Sequence, residues 1–237
     1  MRRAGLLALI AAAAAGCNGG SGPPYSAGPC GNSYQPSNAG VRWNYRTSSA
    51  TGTFSSTDTV TSASPDGFTI TSRSRGSARV VRYRCKGPAI AALDAAGVAG
   101  SVLAAGTHHA FSTTSMSGVT LPSHPAGMTW RQSFRVHGRG AVDGAAEVLQ
   151  GTISTTFNAA AHRAPVTVPA GTFSALAIAE RTLFDVTVTV RGVSVPVRTA
   201  VRTTAYLAPG VGLVRSISTG SVLGARLASQ TVLLATS

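Results

Sequence analysis

Three thiols, Cys17, Cys30 and Cys85, are the residues of this 237-residue chain best suited to covalent chemistry. A thiol can take a lipid, bind metal, attack a substrate or oxidise with a second thiol. Zinc needs three or four converging ligands, and no second cysteine or histidine lies near any of the three at that spacing. Other reactive groups are sparse. The histidines are His108, His109, His124, His137 and His162, without an HxH or HExxH arrangement. The acids Asp58, Asp66, Asp94, Asp143, Glu147, Glu180 and Asp185 are scattered, and neither a Gly-x-Ser-x-Gly elbow nor a phosphate loop is present. His108-His109 offers two ligands at most and reads as a loop pair. The sequence predicts a non-catalytic protein with no metal and no cofactor. The alternative is a hydrolase whose Ser, His and Asp converge only on folding.

Cys17 closes a distinctive N-terminus. Arg2 and Arg3 precede an apolar run from Leu6 to Ala15, then Gly16 and Cys17. A charged start, an apolar stretch of about 7–15 residues and small residues before a cleavage site mark an export signal. The run is too short for the roughly 20 residues that a bilayer core requires. Ala14-Ala15-Gly16-Cys17 resembles the bacterial lipobox, which implies a diacylglycerol on the thiol and cleavage before it. The expectation is a signal peptide over 1–16 and a lipidated Cys17, whose two or more chains suffice for stable anchoring. An ordinary secretory signal containing a cysteine is the competing reading. The chain is thus expected to be exported and held to a bacterial membrane, facing periplasm or cell exterior. Spending Cys17 on lipid leaves Cys30 and Cys85 to share an oxidising compartment, where a disulfide between them is the economical inference over a metal pair or free thiols. Residues 17–29 are rich in Gly, Ser and Pro and read as a flexible tether, so 30–237 form a single β-rich domain.

The elements that must position these groups are strands. Val41, Trp43 and Tyr45 alternate with Arg42, Asn44 and Arg46; Phe68 and Ile70 alternate with Thr69 and Thr71. Phe184, Val186, Val188 and Val190 alternate with Asp185, Thr187, Thr189 and Arg191, and Arg191-Gly192 reads as a hairpin turn into Val193, Val195 and Val197. One apolar face per strand belongs to antiparallel sheets with one packed side. A partial repeat organises the chain: Gly40-x-x-Trp43 recurs as Gly127-x-x-Trp130, continuing with Phe134 and Val136 inward and Arg131 and Arg135 outward. The predicted fold is all-β, a strongly curved antiparallel sheet built from two β-meanders, each opened by a Gly-x-x-Trp strand. Residues 89–105 are alanine-rich and permit one short helix, which Gly97 and Gly100 make costly, so the stretch reads as a short helix or a loop. Trp43, Tyr45, Trp130 and Phe134 either line an apolar ligand cavity or fill the core.

Two turn motifs suggest a relationship. Val166-Thr-Val-Pro169-Ala170-Gly171-Thr172-Phe173 and Ala208-Pro209-Gly210-Val211-Gly212-Leu213-Val214 resemble elements of uncharacterised bacterial envelope lipoproteins related to the LolA/LolB half-barrels, which also begin with a Gly-x-x-Trp strand. The resemblance spans roughly Gly40 to Ser218. It implies a half-barrel whose concave side holds an apolar or lipid-like guest or is plugged by a helix.

Charge adds a second expectation. Without Arg2 and Arg3 the chain has 18 basic residues against 7 acidic ones, a charge of +11, and every basic residue except Lys86 is arginine. Arg73, Arg75, Arg82 and Arg84 recur at alternate positions of adjacent segments, and Arg198 and Arg202 share a strand face. They read either as a face that docks on anionic lipid or an envelope polymer, or as ordinary solvated positions. No recognised nucleic-acid module is present, and no nucleic-acid partner is expected.

Overall fold

The computed structural model describes residues 26–95, 110–142, 145–222 and 225–237; the predicted signal peptide, Cys17 and most of the tether lie outside them, as do His108, His109 and Asp143. Alternation of apolar and polar side chains produces β1 (Arg42–Ser49), β2 (Gly52–Ser64), β3 (Gly67–Ser74), β4 (Ser77–Lys86), β5 (Ala89–Ala92), β6 (Ala110–Gly118), β7 (Thr129–Val142), β8 (Ala145–Ala159), β9 (Ala164–Val168), β10 (Gly171–Val190), β11 (Val193–Ala208), β12 (Gly212–Val222) and β13 (Ala225–Thr236). No helix occurs among the described residues. The strands follow one antiparallel path, β5-β4-β3-β2-β1-β13-β12-β11-β10-β8-β7-β6, with β9 on β10 alone. Two meanders, β1–β5 and β6–β13, therefore join where the first strand pairs with the last. There Arg42, which opens β1, and Ser237 exchange backbone hydrogen bonds of 2.8 and 3.1 Å.

The sheet curls further than a half-barrel and nearly closes. Its two ends meet where Ile90 of β5 bridges Leu121, three residues past β6: Ile90 N donates to the Leu121 carbonyl at 2.8 Å and the Ile90 carbonyl accepts from Thr120 N and Leu121 N. Side chains complete the seam: Thr120 Oγ1 accepts from Ala92 N at 2.7 Å, and Gln132 Nε2 donates to the Ala92 carbonyl at 3.0 Å. This near-closure shields part of the edge that an open sheet would offer to other chains.

This seam corrects the start of the stretch read as a short helix or a loop. Ala89–Ala92 is strand β5, with Ile90, Ala91 and Ala92 buried; pairing with β4 and burial at the seam outweigh alanine's helix preference. Residues 96–105 lie outside the described residues. The repeat is real as local geometry. Gly40 and Gly127 both take positive φ, 90° and 72°, in turns closed by Val41 N to the Asn38 carbonyl and Met128 N to the Pro125 carbonyl. The second copy opens β7, however, and β6 precedes it in its meander. The Arg191-Gly192 turn forms as expected, with φ of 50° and 81°; two positive φ values are the requirement of the tight hairpin turn whose twist matches its strands.

One end of the barrel is plugged. The β9–β10 hairpin folds back so that β9 touches β12 and β13, and its Val166, Val168 and Phe173 join Trp43, Tyr45, Val214 and Leu233 in one apolar cluster. Both Pro-Gly motifs turn at this end, where Ala170 N donates to the Leu233 carbonyl and Gly210 N to the Ser33 carbonyl. The N-terminal segment seals it through the Cys30–Cys85 disulfide, whose Cα atoms are 5.2 Å apart. A second cluster, with Phe134, Val136, Ile153, Phe184 and Val186, packs further along the interior of β7, β8 and β10.

Candidate functional site

The four aromatics do not form one cavity wall. Trp43 is 2% exposed and donates its indole N–H to the Val211 carbonyl; Tyr45 is also buried and donates to the Leu213 carbonyl at 3.1 Å. Trp130, half-buried, donates to the Thr120 carbonyl at 3.1 Å and stacks on Phe157 with ring centroids 5.1 Å apart. Phe134 sits in the other cluster. All four are engaged with protein, and an apolar guest would have to displace packed core.

The interior also holds acids. Asp58 faces inward beside Ser72 and Arg79; burial raises its pKa, and the Ser72 hydrogen bond and the Arg79 charge offset part of that rise. Glu180 faces inward between Phe157 of β8 and Thr203 of β11, and burial alone pushes its carboxyl up to about 7. Its cross-strand neighbour Thr203 is half-buried, and the Thr203 hydroxyl meets the buried Ser218 hydroxyl at 2.9 Å. A carboxyl whose pKa is higher in the folded chain binds more protons when folded, so its stabilisation is complete below the unfolded value of 4.5 and is lost as pH rises through about 7. The full shift corresponds to about 3 kcal/mol, which residual hydration reduces to about 1–2 kcal/mol. The melting temperature should fall between about pH 5 and pH 8, and Glu180→Gln should remove most of that fall. An unchanged slope in the variant would show that the carboxyl is well hydrated.

Among the described residues the histidines and the inward acids stand on different faces. His137 lies on the outer face of β7 and His162 is exposed, while Asp58, Glu147 and Glu180 point inward. His124 Nδ1 meets Ser123 Oγ at 3.1 Å on an exposed turn. Among the described residues no group of three His, Cys, Asp or Glu side chains is placed to hold a metal ion.

The outer wall is where like residues converge. Arg73, Arg82 and Arg84 are exposed on β3 and β4 as the alternation implies, joined by Arg42 and Arg46 of β1. Arg75 is not on that face: it occupies the β3–β4 turn with φ of 46°, its guanidinium 4.6 Å from the Phe54 ring centroid. Arg198 and Arg202 belong to a separate and denser group, which also contains Arg131, Arg135 and Arg181. Register sets Arg131 opposite Thr156, Thr156 opposite Arg181, and Arg181 directly opposite Arg202. One row along, Arg135, Thr152, Asp185 and Arg198 align in the same way. Arg198 Nε donates to Asp185 Oδ1 at 3.1 Å, an exposed pair of small energetic weight. Asp185 is the one carboxylate on the outer face of β7, β8, β10 and β11 among the described residues. Opposed like charges about 5 Å apart destabilise a sheet, and Arg181 and Arg202 are such a pair. Simple alternation back from Phe184 along β10 would have placed Arg181 on this face.

Among the described residues the outer wall presents chiefly Arg, Thr and Ser, with Val80, Val148 and Leu183 as scattered exposed apolar side chains, and no described helix is long and apolar enough to cross a membrane. Fold and surface together define a plugged, nearly closed antiparallel β-barrel with a cationic exterior. Solved structures of this shape exist. One, from Parabacteroides distasonis and provisionally named a lipoprotein, aligns over 87% of this chain and 99% of its own with a TM-score of 0.56 and 15% identity. Another, from Bacteroides fragilis and provisionally named an exported protein with a YmcC-like fold, aligns over 84% and 96% with a TM-score of 0.51 and 15% identity. At that identity the likeness is one of fold. No family model and no curated protein matches the chain.

Proposed function

We propose that this chain is an exported, lipid-anchored envelope protein that acts by binding rather than catalysis, docking the outer wall of its barrel on anionic lipid headgroups. The opposed pair Arg181 and Arg202, without a salt bridge among the described residues and flanked by Arg131, carries the reading. Guanidinium groups match phosphate in shape and charge, and clustered cations beside an anionic leaflet gain about 1 kcal/mol each before screening. The export signal ending at Cys17 and the fold shared with proteins provisionally named as lipoprotein and exported protein support the location. An apolar cargo finds less support, because Trp43, Tyr45 and Phe134 are buried in packed clusters.

The test uses the full chain carrying Cys17→Ser, which removes the lipid acceptor, so that any remaining affinity reports on the domain. It should sediment with phosphatidylglycerol-containing vesicles and not with pure phosphatidylcholine, and lose binding as salt shortens the Debye length below about 10 Å. Arg181→Ser with Arg202→Ser should weaken binding about tenfold, in line with two lost contacts. Equal binding to both vesicle types would remove the docking reading.

A further inference from the structure

A belt of polar side chains runs around the inner wall between the two apolar clusters. On β7, β8 and β10 it consists of Gln132, Thr155 and Thr182, with Trp130 and Phe157 on the plug side and Phe134 and Ile153 on the other. These three are buried and satisfied. Thr155 and Thr182 share a hydrogen bond of 2.8 Å, while Gln132 accepts from Thr120 and donates to the Ala92 carbonyl. The other half of the belt differs. Register carries one inward row from Glu180 of β10 through Thr203, Ser218 and Ser229 to Ser49 of β1. Ile178, Leu233 and Tyr45 flank it towards the plug, and Phe184, Val201 and Leu227 flank it on the far side. All of the row except Ser218 is half-buried. Burial is the sole influence acting on the Glu180 carboxyl, with no hydrogen bond or charge among the described residues to offset it. The rim of the barrel also dips to this level. β1 and β2 turn at Ser49–Gly52 and leave residues 225–228 of β13 without a partner on β1, whereas β10 and β11 run on to Val190 and Val193. The row is therefore reached from the β1–β2 turn.

We infer that this half of the belt is a binding site for a small polyhydroxylated ammonium ligand: the ammonium pairs with the Glu180 carboxylate, and the ligand's hydroxyls exchange hydrogen bonds with Thr203, Ser218 and Ser229. The site lies inside the barrel and is independent of the docking wall. A carboxylate drawn out of bulk water costs free energy unless it is paired, and the Gln132-Thr155-Thr182 half shows how this fold satisfies a polar layer that serves packing alone. An ammonium supplies the missing partner through a charge-assisted hydrogen bond and favours the ionised carboxyl. Serine and threonine hydroxyls both donate and accept, so the wall beyond Glu180 suits a ligand carrying the same groups. An anion is opposed by the carboxylate. An apolar guest would leave the hydroxyls without the hydrogen bonds that water gives them.

The experiment titrates the Cys17→Ser full chain by calorimetry with D-glucamine, a six-carbon polyol ending in an ammonium, and with D-sorbitol, which has a hydroxyl in its place. D-glucamine should bind saturably and D-sorbitol about tenfold more weakly or worse, in line with a lost charge-assisted hydrogen bond. Glu180→Gln keeps the side chain's shape and should bring D-glucamine down to the level of D-sorbitol. Thr203→Val with Ser218→Ala removes both partners of one hydrogen bond, so neither is left unpaired, and should weaken both ligands. Thermal melts of each variant check that it is folded. No saturable binding of D-glucamine by the parent would mean that water alone fills the row and would overturn the inference. Binding unaffected by Glu180→Gln in a folded variant would place the ammonium elsewhere and also overturn it. Methylamine binding as tightly as D-glucamine would show that the hydroxyl wall takes no part and would overturn the ligand class.

Discussion

Trp43→Ala is expected to lower the unfolding free energy by about 3–5 kcal/mol, the range for truncating a buried tryptophan. Two losses combine in it. The indole is almost fully buried in the cluster beneath the plug, so its removal leaves a void bounded by the β9–β10 hairpin and the β11–β12 turn. Its N–H also satisfies the Val211 carbonyl, and a buried acceptor left unpaired costs about 1–3 kcal/mol. Trp43→Phe separates the two, retaining most of the volume and losing the donor, and should fall between wild type and alanine. Gly212 lies against the ring, where an added Cβ would stand 3.5 Å from the indole nitrogen, so the turn has little freedom to collapse inward. Urea unfolding checks the result through a lower midpoint at unchanged slope. An unaltered midpoint would mean that the ring lines open space and would return the apolar-cavity reading to contention.

Local patterning made much of this architecture legible. The two-residue turn at Arg191-Gly192 fixes the hairpin register, and counting outward from it sets Arg181 opposite Arg202 and turns Glu180 inward with Phe184. The Gly-x-x-Trp repeat encodes a shared turn and a shared role for the indole N–H, which in both copies donates to a loop carbonyl. Closure was not legible. It depends on β5 meeting Leu121 across a long stretch of chain, and the alanines that let β5 fit the seam are the residues that suggest a helix. The arginine wall was half visible for a similar reason. Faces within a strand follow from alternation, whereas the union of Arg131 and Arg135 with Arg198 and Arg202 needs the β7-β8-β10-β11 order.

Loss of the Cys30–Cys85 bond, by paired serine substitution or by reduction, is expected to cost about 4 kcal/mol, since its sequence separation is 55 and a loop of that size restricts the unfolded chain by about this amount. The native state locates a second consequence at the seam. Asn32, two residues from Cys30 and fully buried, donates from Nδ2 to the carbonyls of Pro88 at 2.8 Å and Pro122 at 3.1 Å. One side chain thus bridges the segments beside both end strands. The bond to Cys85 on β4 holds Asn32 there. Without it, residues 26–37 must order themselves at the cost of their own backbone entropy, and the seam relies on the Ile90–Leu121 bridge with Thr120 and Gln132. Amide exchange at Ile90, Ala92 and Leu121 should then quicken more than at Ile178 or Val186 on the far wall, because local opening precedes global unfolding where contacts are fewest. A uniform loss of protection would confine the disulfide's effect to the unfolded chain. A stability change below about 1 kcal/mol would show that the segment docks unaided, and that the barrel's closure is written in its strands alone.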